Sequence, residues 1–415
     1  MKKTILITGA RGMFGQDAAR LFLESGYDVL SATKADLDVT NLAQVQEFFA
    51  QKKIDFVLHA AAYTKVDDAE TNRDLAFLIN GEGAKNVAIA SNEKSVPIIF
   101  ISTDYVFDGE KGAPYLVSDK TNTINVYGAS KIAGEENVRQ ENPRHYIVRT
   151  SWLYGKNGKN FVDTMIALAK NRKSLKVVND QFGCPTWTMD LAQGVKNLIE
   201  KEMPFGTYQL CGAGVTSWFG LAKKIFEILE IEIEVIPVNT EEFPRPAKRP
   251  KFSAMDNQGS CRNWQEMLFD YIKSNRSMRH MFSLGKIINF EVKGDDRGIL
   301  VALEGNKNVP FDIKRVYYIS GTKEGIRRGF HAHKDLEQVL ICVSGSCKIL
   351  LDNGDSKEEI LLNSPSSGLL IKKMIWREMF DFSSDCVLMV LANDYYSEDD
   401  YIRNYEDFLR LKSIS

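Results

Sequence analysis

Cysteine, histidine and long apolar runs are all scarce in this chain, and each scarcity excludes a class of protein. Six cysteines occur in 415 residues (Cys184, Cys211, Cys261, Cys342, Cys347 and Cys386), scattered and with no CxxC pair. Such spacing fits reduced, mostly structural thiols and a cytoplasmic location, not a disulfide-built scaffold. No window holds roughly 18 apolar residues, as a membrane-spanning helix would need. The opening Met1-Lys2-Lys3-Thr4-Ile5-Leu6-Ile7-Thr8 starts like a signal peptide. Its apolar run stops at Gly9-Ala10-Arg11, too short for one and without a cleavage site. Charge of one sign is missing as well: 53 basic residues face 55 acidic ones, for a net charge of -2. Residues 1–280 carry about +1 and residues 281–415 about -3, so neither part is a nucleic-acid arm or a polybasic membrane anchor. We expect a soluble cytoplasmic protein with neither nucleic acid nor membrane as its partner.

What is present is an ordinary globular composition, 44% hydrophobic and 26% charged. At roughly 150 residues per domain, the length implies two or three domains. Residues 1–150 alternate short apolar runs (Thr4–Thr8, Asp28–Ala32, Phe56–Ala60, Ile98–Ser102, His145–Thr150) with helical patterns (Gln16–Glu24, Leu42–Gln51, Gly83–Glu93, Lys131–Gln140). This alternation predicts a parallel sheet with helices on both faces, an α/β doubly wound fold of Rossmann type. Residues 160–275 are more mixed, with helices expected near Phe161–Lys170, Met189–Lys201, Trp218–Leu229 and Trp264–Ser274. They read as a substrate cap completing the same domain. Beyond the basic stretch Lys273–His280, period-two strands follow one another (Val316–Ile319, Gln338–Val343, Cys347–Leu351, Leu369–Lys372, Val387–Ala392). That pattern predicts an all-β barrel or jelly roll. The expected domains are 1–280 and 281–415.

Gly9-Ala10-Arg11-Gly12-Met13-Phe14-Gly15 follows the first strand and opens the first helix. Glycines permit a tight turn and close backbone approach, and the helix N-terminus offers N–H groups to a pyrophosphate, so a dinucleotide site is expected. Tyr127 and Lys131 stand four apart at a helix start and share one face. An ammonium beside a phenol favours the phenolate, so Lys131 is expected to lower the Tyr127 pKa and suit it to proton transfer. Thr103 and Asp104 end a strand where α/β sheets place ligands, and the Thr103 hydroxyl can donate to a carbonyl oxygen.

With the runs Ala60–Asp67, Ser102–Gly109, Asp180–Thr186 and Arg245–Pro250, these features resemble the extended short-chain dehydrogenase/reductase superfamily. Within it the resemblance is to the dTDP-4-dehydrorhamnose reductase family, over residues 1–275. It implies NAD(P)H-dependent reduction of the 4-keto group of a nucleotide-linked 6-deoxyhexose. It assigns Thr103, Tyr127 and Lys131 to catalysis, and Gly9, Arg11, Gly12, Gly15, Ala60, Ala62 and Lys131 to the cofactor. Asp104 and Trp152 would adjoin the sugar, and Arg245 and Arg249 the nucleotide phosphates, for which guanidinium forks are well shaped. An NAD-selective site has an acid closing the second strand. Here Leu30-Ser31-Ala32-Thr33-Lys34 has none, Asp36 and Asp38 are expected too far along, and Arg11 is at hand, so NADPH is favoured over NADH.

Of five histidines, two sit together in Gly329-Phe330-His331-Ala332-His333-Lys334. At i and i+2 on a strand, both imidazoles enter one barrel interior. The string resembles the first cupin motif. Cupin metal sites add a third histidine from a later strand, but after Pro365-Ser366-Ser367-Gly368 the sequence offers Lys372-Lys373-Met374-Ile375-Trp376-Arg377. His331, His333 and Glu337 are zinc-ligand types, yet no metal is expected, and imidazoles near neutral pKa read as acid/base groups. With Val316–Ile319, Glu337–Ile341, Ser344–Ser346 and Asp399–Tyr405, the half resembles the dTDP-4-keto-6-deoxyglucose 3,4-ketoisomerase family of cupins, over about residues 282–411. That implies movement of a ketone between C4 and C3 through an enediol, with His331 and His333 moving the protons and either one as the base. A tyrosine (Tyr317 or Tyr318) and an arginine (Arg327 or Arg328) are expected beside them, phosphate binding being the arginine's other use.

Together the halves imply one bifunctional deoxysugar-nucleotide enzyme acting on dTDP-sugars, and a homodimer by analogy with both families. Three alternatives stay open: a 3,5-epimerase cupin, a catalytically silent sugar-nucleotide binding module, and a non-enzymatic NAD(P)H sensor.

Overall fold

The computed structural model describes residues 2–229, 231–275, 284–354 and 357–412. The chain separates into two compact units, Met1–Asn275 and Arg276–Ser415. The boundary expected at residue 280 falls outside the described residues.

In the first unit six strands form one fully parallel sheet: β1 (Thr4–Thr8), β2 (Asp28–Ala32), β3 (Phe56–His59), β4 (Ile98–Thr103), β5 (His145–Thr150) and β6 (Gly206–Gln209). Their order is β6-β5-β4-β3-β1-β2. The reversal between β1 and β3 opens a crevice at the carboxyl ends of the strands, where ligands of such sheets bind. Ile5, Leu6 and Ile7 of β1, and Ile98, Ile99 and Phe100 of β4, are fully buried. Strands apolar on both faces need helices on both sides. On one side α1 (Met13–Glu24) places Phe14, Ala18 and Phe22 against Leu191, Val195 and Leu198 of a later helix, Thr188–Glu200. On the other, α2 (Leu42–Gln51), α3 (Gly83–Glu93) and α4 (Val126–Glu141) contribute Val45, Phe49, Val87, Ala88 and Val138. The segment expected to be only a cap also supplies β6, an edge strand of the main sheet.

The second unit holds two five-stranded antiparallel sheets built from β7 (Gly285–Asn289), β8 (Arg315–Ser320), β9 (Arg328–His333), β10 (Gln338–Ser344), β11 (Cys347–Asp352), β12 (Lys357–Leu362), β13 (Ser367–Ile371), β14 (Trp376–Phe380), β15 (Val387–Ala392) and β16 (Tyr401–Ile402). Their orders are β7-β13-β10-β15-β8 and β12-β11-β14-β9-β16. Inward residues from both sheets, among them Leu340, Leu369, Leu388 and Val390 against Ile349, Leu351 and Met379, make the core. This is the cupin architecture. A closing helix, α5 (Tyr405–Lys412), buries Phe408 against Trp376 and Ile402.

Candidate functional sites

In the first unit, Gly9 has φ +66°, and a Cβ there would meet Ala61 N at 2.7 Å and Ala60 O at 2.8 Å. A Cβ on Gly15 would meet Gly9 O at 2.4 Å. Only glycine leaves this floor open. It bounds a cleft of about 640 Å³, also lined by Gly12, Ala60, Ala62, Thr103, Asp104, Tyr127, Lys131 and Trp152. A larger cleft of about 730 Å³ beside β6 brings together no comparable set.

Helix α4 carries Tyr127 and Lys131 and is fixed at two points. Asn125 caps it, its Oδ1 accepting from Gly128 N at 2.8 Å. Further along, buried Glu135 accepts from Arg149 of β5 at 2.9 and 2.7 Å and from Ser102 Oγ of β4 at 2.6 Å. Those bonds hold α4 across the sheet ends, with Thr103 in hydrogen-bonding reach of the Tyr127 phenol. Asp104 accepts from Thr103 Oγ1 at 3.1 Å and from Ser253 Oγ at 2.5 Å. Burial pushes its carboxyl up to about 7.

The expectation that Lys131 lowers the Tyr127 pKa is not met. Burial pushes the phenol up to about 12, and Asp104 adds to the rise. Burial also pushes Lys131 down to about 7, against the pull of Glu135, and its Nζ lies 4.1 Å from the Phe100 ring centroid. Taking each group out of water dominates its shift, and neither group contributes to the other's.

Trp152, at φ +46°, stacks on Trp218 at 3.5 Å, and both line the cleft. Arg245 and Arg249 line an adjoining cavity of about 420 Å³. Arg249 is already engaged, pairing with Asp67 at 3.0 Å and donating to Ala247 O. Asp36 is not far along: its Oδ2 accepts from Thr33 N and Oγ1 at 2.9 and 2.7 Å, just beyond β2. Those bonds, and Arg11 more weakly, hold its carboxyl below the usual range.

In the second unit the rings of His331 and His333 meet at 4.8 Å, and Tyr401 lies 4.9 and 4.3 Å from them. A bulge in β9 between Gly329 and His331, with Phe330 at φ +53°, sets this stretch of strand. His331 Nδ1 bonds Gly329 O at 3.0 Å, and His333 Nδ1 bonds Asp400 Oδ2 at 2.7 Å. Both acceptors require Nδ1–H, which leaves each Nε2 unprotonated. His333 Nε2 is buried without a partner.

Arg377 of β14 stands where a cupin metal site would draw its third histidine. Buried, it donates to Ile375 O and, at 2.5 Å, to Gln338 Oε1. Gln338 in turn donates to the Tyr317 hydroxyl at 3.0 Å. The expectation of near-neutral imidazoles is overturned: burial, with Arg377, pushes His331 down to about 4 and His333 to about 2.

The open choices are thereby separated. Tyr317 joins this network, whereas Tyr318 is 72% exposed on the other face of β8. Neither Arg327 nor Arg328 is the interior arginine: Arg327 pairs with Glu378 at 3.4 Å on a half-exposed side chain, and Arg328 is exposed. Glu337 joins no cluster of three metal-ligating side chains among the described residues. Asp400 and Arg377 were not singled out for any role from sequence, since the first comes from the C-terminal segment and the second was noted only as a missing histidine.

Fold and sites define a reductase-type α/β unit joined to a proton-transfer cupin. Residues 1–277 match the family described as RmlD substrate binding domain, and residues 284–413 match WxcM-like, C-terminal. The dTDP-4-dehydrorhamnose reductase of Mycolicibacterium smegmatis is 38% identical over 282 residues, covering 66% of this chain and 86% of that protein. The crystal structure of dTDP-4-dehydrorhamnose reductase from Bacillus anthracis, in complex with NADP, is 42% identical with a TM-score of 0.64, covering 66% of this chain and 100% of that one. The TDP-4-oxo-6-deoxy-alpha-D-glucose-3,4-oxoisomerase of Aneurinibacillus thermoaerophilus is 61% identical over 123 residues, covering 30% of this chain and 88% of that protein. The chain belongs to the RmlD substrate binding domain family and carries a WxcM-like ketoisomerase-type cupin at its C-terminal end. It is a bifunctional enzyme of deoxysugar biosynthesis, an oxidoreductase fused to an isomerase.

Proposed function

We propose that the first unit reduces the 4-keto group of a dTDP-linked 6-deoxyhexose with NADPH, and that the second moves the ketone of a dTDP-4-keto-6-deoxyhexose from C4 to C3. The first reading rests on Thr103, Tyr127 and Lys131 sharing one cleft with the glycine floor. When bound, the cofactor supplies a hydride. Tyr127, kept protonated by burial, gives its proton to the carbonyl oxygen as that oxygen gains charge, and Thr103 donates to the same oxygen. Gly9, Gly12 and Gly15 take the pyrophosphate, and Arg245 and Arg249 take the phosphates of the sugar nucleotide. Asp36 is tied to Thr33 just beyond β2, and Arg11 of the glycine loop faces a 2′-phosphate. The ratio of kcat/KM for NADPH over NADH should exceed one and shrink in Arg11→Ala; a ratio below one would reject this preference.

The second reading rests on the buried, unpartnered Nε2 of His333. It takes the C3 proton, made acidic by the C4 carbonyl. That proton, relayed through His331 Nε2 and exchanging with solvent, is delivered to C4, while the C3 hydroxyl gives its own proton to the C4 oxygen. Arg377 and Tyr317 face the enediolate oxygens. No metal takes part, because a divalent ion between the imidazoles would stand against the Arg377 guanidinium.

Incubation with dTDP-4-keto-6-deoxyglucose in heavy water, with and without NADPH, tests both readings by product NMR. Without NADPH, a 3-keto product carrying solvent deuterium is expected. With NADPH, cofactor oxidation should accompany a 4-hydroxy product. Failure of either conversion rejects the corresponding unit's assignment.

The protein further acts as a cytoplasmic homodimer, without nucleic-acid or membrane partners. Exposed Val316 and Tyr318 on edge strand β8 support a pairing face. Six free thiols suit a reducing compartment. No helix among the described residues is long and apolar enough to cross a membrane. Sedimentation as a monomer at micromolar concentration would count against the dimer.

A further inference from the structure

Three of the six cysteines converge in the second unit, away from its histidines. Cys342 lies near the end of β10, Cys347 opens β11, and Cys386 immediately precedes β15. Their sulfurs all lie within 4.8 Å of one another, with Cys342 and Cys386 at 3.6 Å, and all three side chains are buried. Along β10, Cys342 is four residue steps from Gln338, the member of the Arg377 network, or about 13 Å at the usual strand rise. Among the described residues no other group of three or more metal-ligating side chains is this close.

We propose that Cys342, Cys347 and Cys386 form a binding site for a thiophilic metal ion of the zinc class, separate from the sugar site. Zinc–thiolate bonds of about 2.3 Å in tetrahedral geometry put sulfurs about 3.8 Å apart. The trio is already near that spacing. On binding, three S–H bonds break, three metal–sulfur bonds form and three protons leave to water; nothing is oxidised. Cys342 Sγ also lies 3.1 Å from Ser344 O. That oxygen, or water, completes a fourth position. Burial pushes the Cys342 thiol up to about 12 and Cys347 higher still, so neither is a thiolate before the ion binds.

The test is titration of the reduced, chelator-treated full-length protein with cadmium(II), read by thiolate-to-metal charge-transfer absorption and by native mass spectrometry. One ion per chain is expected in wild type. The band should be lost in Cys347→Ser and in Cys386→Ala, while Cys184→Ser, in the other unit, keeps it. Absence of the band in wild type, or its survival in both trio variants, would overturn the proposal. So would a disulfide between Cys342 and Cys386 in protein purified without oxidant, since two of the sulfurs would then be spent.

Discussion

Replacing Asp400 by asparagine should disable the isomerase without unfolding it. The Asp400 carboxylate has two employed acceptors: Oδ2 takes Nδ1–H of His333 at 2.7 Å, and Oδ1 takes the backbone N–H of Asp335 at 2.8 Å. Asparagine offers one oxygen and one NH2. If the oxygen keeps Asp335, the amide NH2 faces His333 Nδ1, which must then lose its proton and pass it to Nε2. The base is gone, and the ring presents a donor where it needs a lone pair. If the oxygen keeps His333 instead, the Asp335 N–H faces another donor, and the short helical turn Glu398–Asp400 must shift. Either outcome forfeits a hydrogen bond to a charged acceptor, worth about 1.5–3 kcal/mol. At 1.36 kcal/mol per decade, C3 deuterium exchange should fall roughly 10- to 150-fold. The assay is NMR of exchange in heavy water at saturating substrate, with NADPH-dependent reduction measured on the same preparation. Reduction should be untouched. Exchange at the wild-type rate would refute the assignment of His333 Nε2 as base; equal loss of both activities would point to unfolding instead.

Other consequences can be checked in parallel. Tyr127→Phe should lower hydride transfer by at least roughly 100-fold while leaving isomerisation intact, since only the proton donor is removed; parallel rates of NADPH oxidation and C3 exchange decide it. Glu135→Gln leaves the buried Arg149 guanidinium uncompensated and should cost about 3–5 kcal/mol, seen as a lower denaturant midpoint for the first unit. An unchanged midpoint would show the pair does not anchor α4. Acid should loosen the second unit first. His331 and His333 titrate in the fold at about 4 and about 2, below their unfolded value near 6.5, so the unfolded chain binds more protons and stability falls as pH drops below 6.5. The slope is about 1.4 kcal/mol per pH unit for each imidazole. His59, at about 3, does the same in the first unit, but Asp104, raised to about 7, gains stability from pH 7 down to its unfolded value near 3.8 and offsets it. Hydrogen exchange at pH 7 and pH 5 should show protection lost first in the cupin strands; earlier loss in the parallel sheet would contradict the sign.

Much of the architecture was legible because it is local. Alternation of apolar runs with helical spacing located β1 to β5 and α2 and α3, and the glycine loop and Tyr127–Lys131 pair declared themselves by position next to them. What escaped was set across the fold. Asp400 reaches His333 from 67 residues further along the chain. Arg377 enters the barrel on β14, a strand of only five residues, too short for its alternation to stand out. Asp36 was misplaced because a turn folds it back onto Thr33, which counting along the strand does not reveal. The pKa directions failed for a related reason. Spacing shows which groups are neighbours, whereas desolvation depends on everything packed around them.

That same desolvation explains how two opposite proton chemistries coexist in one polypeptide. Burial penalises charge of either sign, so it raises a phenol and lowers an imidazole. Ketone reduction must end with a proton on oxygen, and the first unit buries Tyr127, which stays an acid. Ketone migration must begin by pulling a proton from carbon, and the second unit buries His333, which stays a base. Neighbouring charges hold those resting states further: the Asp104 carboxylate keeps the phenol protonated and the Arg377 guanidinium keeps the imidazoles neutral, and each reaction must move its proton against that shift. Swapping the sign of either neighbour should therefore change the pH profile of its own reaction and leave that of the other alone.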